Sequence, residues 1–131
     1  MAVSKRPNAE RRFHRLLLVE DDEMVAAGMT SLLEMEGFTV RTIGQGLAVI
    51  DAIKSFQPDA MILDVSLPDI SGVEVFRDVR RQWPGLPVLF STGHGDGPSL
   101  GSELKENSVE ILRKPYEIAD LLSALQRLTH S

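Results

Sequence analysis

Five short apolar runs recur along the chain, Leu16–Val19, Phe38–Ile43, Met61–Leu63 closing on Asp64, Val88–Ser91 and Val109–Leu112. Apolar segments recurring at helical spacing separate and follow them. Runs this short suit strands buried on both faces of a parallel sheet. Parallel neighbours need crossover helices of right-handed sense, so the alternation implies a doubly wound five-stranded parallel α/β sheet. The central run is the most tightly bounded, with Pro58 before it and Pro68 after it. It ends on a carboxylate, Asp64, where such sheets keep their ligands: the crevice outside the carboxyl edge.

The first helix is expected from Glu23 to Glu36. Acids at its start favour the dipole, Val25, Met29, Leu32 and Leu33 are helically spaced, and Gly37 stops it. Leu47, Ile50 and Ile53 predict the apolar stripe of a second helix ending near Pro58. Ser71-Gly72-Val73-Glu74 matches a capping box, and Val73, Phe76, Val79 and Trp83 predict the stripe of a third helix stopped by Pro84-Gly85. Leu100 and Leu104 are spaced for a fourth helix, but Gly97, Pro98 and Gly101 interrupt it. Each glycine costs about 1 kcal/mol against alanine, so this helix is expected to be short or frayed. Ile118, Leu121, Leu122, Leu125 and Leu128 predict a final amphipathic helix.

A chain of 131 residues supports one core, so a single site is sought. Residues 1–15, with Lys5, Arg6, Arg11, Arg12 and Arg15, read as a flexible basic tail, and residues 16–131 as the folded domain. A net charge of -5 disfavours nonspecific binding to nucleic acid or an anionic membrane. The absence of cysteine excludes disulfides and thiolate metal sites. With no apolar stretch long enough to span a bilayer and no signal-peptide core, the expected location is the cytoplasm.

The strand ends carry the chemistry. The first ends on Glu20 and Asp21, the third on Asp64, the fourth on Thr92 and the fifth on Lys114. Only the second delivers no polar group, which suits an outer strand in the order 2-1-3-4-5. Converging carboxylates repel unless a cation neutralises them. Carboxylate oxygens without His or Cys suit magnesium, which typically takes one or two carboxylates plus a phosphate oxygen. Magnesium with a free carboxylate and a lysine suggests phosphoryl chemistry, in which Asp64 attacks in line while Lys114 and Thr92 face the transferring group.

In order and spacing these residues resemble the receiver domain of two-component response regulators, from Leu16 to about Thr129. The matching stretches are Leu17-Leu18-Val19-Glu20-Asp21-Asp22, Leu63-Asp64 with Leu67-Pro68 and Gly72, Ser91-Thr92-Gly93, and Lys114-Pro115. The resemblance implies a flavodoxin-like fold and Asp64 as phosphoacceptor from a histidine kinase or histidine phosphotransferase. It implies Mg2+ on Glu20, Asp21, Asp64 and the Ser66 backbone carbonyl, with Mn2+ able to substitute. It further implies Thr92 as the switch hydroxyl, Lys114 as the phosphate-binding lysine and a cis bond at Pro115. Asp22, one place past the acidic pair, is expected to cap the first helix. Receivers commonly carry an aromatic residue where this chain has Ile111. That departure, the interrupted fourth helix and Phe90-Ser91-Thr92-Gly93-His94 resemble the receiver subgroup with a Phe-Ala-Thr-Gly-hydrophobic-Tyr stretch. His94, two residues past Thr92, is a candidate modulator of acyl-phosphate hydrolysis.

The resulting expectation is a stand-alone signalling phosphoacceptor that catalyses only its own phosphorylation and dephosphorylation. Its output goes through an unidentified partner protein, with no DNA or membrane binding. A haloacid dehalogenase-like phosphatase would carry a second Asp as general acid where this chain has Ser66. A flavin carrier would need a phosphate-cradling loop after the first strand, where Glu20, Asp21 and Asp22 would repel it. A pseudo-receiver that binds partners without phosphorylation would not need every polar partner kept.

Overall fold

The computed structural model describes residues 14–93 and 108–129. In chain order the elements are β1 (Arg15–Val19), α1 (Glu23–Met35), β2 (Thr39–Ile43), a 3-10 turn (Gly46–Ala48) running into α2 (Val49–Phe56), β3 (Ala60–Asp64), α3 (Gly72–Gln82), β4 (Val88–Thr92), β5 (Val109–Arg113) and α4 (Ile118–Thr129). The strands form one sheet in the order β2-β1-β3-β4-β5, and every neighbouring pair is parallel. The parallel pairing is what the alternation predicts, and the order is the one that the polar strand ends suggest. The expected fourth helix lies outside the described residues, as do His94 and the first thirteen residues of the expected tail.

Successive side chains on a strand point to opposite faces, and the core divides accordingly. Leu17, Val19, Met61, Leu63, Val88 and Phe90 pack against α2 and α3, where Phe76 and Phe90 lie 5.2 Å apart. Leu16, Leu18, Ala60, Ile62 and Leu89 pack against α1 and α4. Strands β3 and β4 are buried along their whole length, and β1 is buried beyond Arg15.

The element ends have local causes. The Asp22 carboxylate accepts the N–H groups of Met24 and Val25 and starts α1, and Gly37 follows the helix at φ 100°. Gln57 takes the left-handed conformation after α2 at φ 53°, just before Pro58. At α3 the Ser71 hydroxyl accepts the Val73 N–H.

Several expectations need correction. Leu47 is 71% exposed and is not part of the α2 stripe. The 3-10 turn winds more tightly than an α-helix and shifts the phase, so Val49, Ala52, Ile53 and Phe56 form the buried face. On α1 the buried residues are Ala26 and Leu33, while Val25 and Leu32 are exposed. The helix carries apolar residues on two faces and only one meets the sheet. Strand β1 begins at Arg15, which the sequence places in the tail; its guanidinium donates to the Phe56 carbonyl and stacks on the Phe56 ring.

Candidate functional site

The register brings the carboxyl ends of four strands level. Val19 pairs with Leu63, Asp64 with Ser91 and Thr92 with Arg113, so Glu20, Asp64, Thr92 and Lys114 emerge at one edge. The loop after β1 is fixed by the Glu20 N–H on the Ile43 carbonyl at 3.0 Å and by the Asp22 N–H on Glu20 Oε2 at 3.1 Å.

Glu20, Asp21 and Asp64 form a group whose facing carboxylate oxygens lie within 4.8 Å of one another. Glu20 and Asp64 are buried, and Asp21 is exposed. Lys114 Nζ is 3.0 Å from Asp64 Oδ2 and 3.4 Å from Glu20 Oε1. Asp64 Oδ1 accepts the Ser66 N–H at 3.0 Å. The Lys114 N–H donates to the Thr92 carbonyl at 2.7 Å, and the Lys114–Pro115 peptide is cis. Asp22 lies outside the carboxylate group and serves as the cap of α1.

The electrostatics follow from burial and neighbours. Burial raises the Glu20 carboxyl above its ordinary value; the negative Asp64 adds to this, and the Asp22 N–H and Lys114 oppose it. Burial alone would lower the Lys114 ammonium, but the hydrogen bond and charge of Asp64, with those of Glu20, outweigh it and raise the value. The Asp64 and Glu20 carboxylates thus share the Lys114 ammonium, and the Asp21 carboxylate lies beside them. An all-oxygen donor set with excess negative charge fits a hard divalent cation. Thr92 Oγ1 is buried without a hydrogen-bond partner among the described residues. Buried hydroxyls are nearly always bonded, so this one is available to an incoming oxygen.

The loop behind Asp64 is packed without slack. A Cβ on Gly72 would lie 2.3 Å from the Asp64 carbonyl oxygen and 2.8 Å from Val65 Cα, so only glycine lets α3 start against the end of β3. Ile111, in β5, is half-buried against the α2–α3 side of the core.

Two residues of this edge escape a reading of the sequence alone. The Asp69 carboxylate accepts the Gly46 and Leu47 N–H groups, each at 2.8 Å, and joins the loop after β3 to the one after β2. The Leu47 N–H is the largest cause holding its carboxyl below the ordinary value. Its position beside Pro68 signals a turn, but its partners lie more than twenty residues earlier. Tyr116, the single tyrosine, places its hydroxyl 3.4 Å from Ser91 Oγ and 3.5 Å from Met29 Sδ. Only its nearness to Lys114 could have drawn notice.

Among the described residues, no helix is long and apolar enough to cross a membrane. The family model described as the response regulator receiver domain matches residues 16–126. The chain is 36% identical over 111 residues to the transcriptional regulatory protein CreB of Escherichia coli, an alignment covering 85% of this chain and 48% of that protein. It is 32% identical over 114 residues to the response regulator MprA of Mycobacterium avium, covering 87% and 50%. It therefore spans about half the length of these curated relatives. The crystal structure of a response regulator receiver domain protein from Clostridium thermocellum superposes with a TM-score of 0.82 at 27% identity, over 89% of this chain and 95% of that one. That of a receiver protein from Sinorhizobium medicae gives 0.79 at 26%, over 91% and 96%. The chain belongs to the response regulator receiver domain family of two-component signalling.

Proposed function

We propose that Asp64 accepts a phosphoryl group from the phosphohistidine of a histidine kinase or histidine phosphotransferase, and that the aspartyl-phosphate form changes which protein this domain binds. The observation that carries the reading is the setting of Asp64. One oxygen is held by the Ser66 N–H and the other by Lys114, with Glu20 and Asp21 alongside.

A carboxylate oxygen of Asp64 attacks phosphorus in line, an O–P bond forms, the N–P bond to the donor imidazole breaks, and the imidazole leaves neutral after taking up a proton. Glu20, Asp21, Asp64 and the Ser66 carbonyl would hold a magnesium or manganese ion, which would supply charge neutralisation at the phosphoryl oxygens. Lys114, already on Asp64 Oδ2, turns to a phosphoryl oxygen as the carboxylate becomes an ester-like acyl oxygen. The Thr92 hydroxyl donates to another. Fixed donors need little reorganisation as charge develops, which is the main source of catalysis in such transfers.

Output then passes through an altered protein surface to a partner protein. The net charge of -5 on the chain disfavours nonspecific contact with nucleic acid. With Ser66 where a phosphatase would carry a second acid, the acyl phosphate is a signal and not a turnover intermediate.

Labelling with acetyl phosphate tests this. Wild type is expected to take label in magnesium and not after chelation, Asp64→Ala to take none, and phosphomonoesters to remain intact. Label persisting on Asp64→Ala overturns the assignment.

A further inference from the structure

Lys114 sits on an exposed turn, with Arg113, Lys114 and Pro115 all open to solvent, yet its ammonium must stay on Asp64. Upstream, its backbone is held by the Lys114 N–H on the Thr92 carbonyl at 2.7 Å. Downstream, Pro115 has no N–H to give, and the next anchor is Tyr116. The Tyr116 ring is half-buried and packs against the core on the α1–α4 side of the sheet. Its hydroxyl donates to Met29 Sδ on α1 at 3.5 Å. With the phenolic proton directed there, the Ser91 hydroxyl at 3.4 Å is the donor to the phenolic oxygen. Burial raises the phenol above its ordinary value, opposed by the Ser91 bond, so the hydroxyl keeps its proton at neutral pH.

Ser91 is no arbitrary partner. It is the register partner of Asp64, and its carbonyl accepts the Val65 N–H at 3.0 Å. The Tyr116 hydroxyl therefore ties the turn that carries Lys114 to the strand position beside the acceptor, and to helix α1 as well. We propose that Tyr116 is a positioning residue: through its hydroxyl contacts to Ser91 and Met29 it fixes the turn that holds the Lys114 ammonium over Asp64. The inference rests on the phosphoacceptor reading of Asp64.

A residue that only stabilised the fold would weaken all properties of the site together. Positioning of Lys114 predicts a split. The ammonium lies 3.0 Å from Asp64 and 3.4 Å from Glu20, so it competes with a cation for the same carboxylates. Loosening it slows phosphoryl transfer while leaving metal affinity unchanged or tighter.

The test uses the full chain, wild type against Tyr116→Phe and Ser91→Ala. Labelling rate is measured with acetyl phosphate in saturating magnesium, and Mg2+ affinity by calorimetry without phosphodonor. The expected result is labelling slowed about threefold to tenfold, the range one hydrogen bond of ordinary net strength commands, with Mg2+ bound at least as tightly as by wild type. A rate unchanged in Tyr116→Phe overturns the proposal, and so does a rate that falls together with metal affinity. Ser91→Ala decides in the same terms if Tyr116→Phe does not fold. Failure of the wild type itself to take label would strike the phosphoacceptor reading, and this inference with it.

Discussion

The two ends of the sheet both gather acids and bases, and they treat them differently. At the amino edge, the Asp59 carboxylate accepts the N–H groups of His14 and Arg15 at 2.7 and 2.8 Å. Arg15 gives two hydrogen bonds to the Phe56 carbonyl and lies 4.2 Å above the Phe56 ring, with Arg41 5.0 Å from the same ring. Asp59, Arg15 and Arg41 thus each meet a donor, an acceptor or a ring. At the carboxyl edge, Glu20, Asp21 and Asp64 crowd within 4.8 Å of one another with the Lys114 ammonium on Asp64 and Glu20, and the Thr92 hydroxyl is buried with no partner among the described residues. A polar cluster built for stability satisfies itself, whereas one built to receive a ligand is left incomplete until the ligand arrives.

Substitutions should break this contrast in graded ways. The largest effect is expected from Gly72→Ala, whose new Cβ would meet the backbone of Asp64 and Val65. A loss of about 3 kcal/mol in urea unfolding follows from such overpacking, and an unchanged midpoint would show that the carboxyl edge has slack. Next, magnesium at about 100 times its dissociation constant should stabilise the wild type by about 2.7 kcal/mol. The gain should vanish in Asp64→Ala and persist in Asp59→Ala, so equal gains in both variants would erase the distinction between the edges. Third, Asp59→Ala removes the acceptor of two backbone N–H groups. It should cost about 1–2 kcal/mol in urea unfolding while leaving acetyl phosphate labelling intact.

The smallest effect concerns pH. Asp69 has a carboxyl lowered from 3.8, chiefly by the Leu47 N–H. A lowered folded-state value means that the charged form stabilises the fold above the unfolded value, and that this is lost as pH falls through the folded one. The stability difference between wild type and Asp69→Asn should be full at neutral pH and fade below 3.8. A difference that grows on acidification would contradict the assignment of that carboxylate as the clamp between loops.

Much of this was legible in the sequence because the signals are local. Apolar runs such as Met61–Leu63 and Val88–Phe90 lie wholly in the core, and the residue that ends each run necessarily emerges at the carboxyl edge. The parallel pairing followed from the alternation of strands and helices, and the order from the polar strand ends that the second strand lacks. What did not show was set by distant partners or by phase. Leu47 has the spacing of a core residue, but a 3-10 turn capped from Asp69 rotates it outward. Val25 and Leu32 are as apolar as Leu33, yet α1 has one face toward the sheet and they lie off it. Tyr116 carries no periodic signal, because its role depends on Ser91 and Met29, which are 25 and 87 residues away.

On the proposed function, the incomplete edge takes a phosphoryl group on the Asp64 carboxylate. Acetyl phosphate treatment in magnesium, borohydride reduction of the acyl phosphate and peptide mass spectrometry address it directly. The modification is expected on Asp64 alone. The same modification on Glu20, Asp21 or Asp59, or its absence from Asp64, would contradict the account.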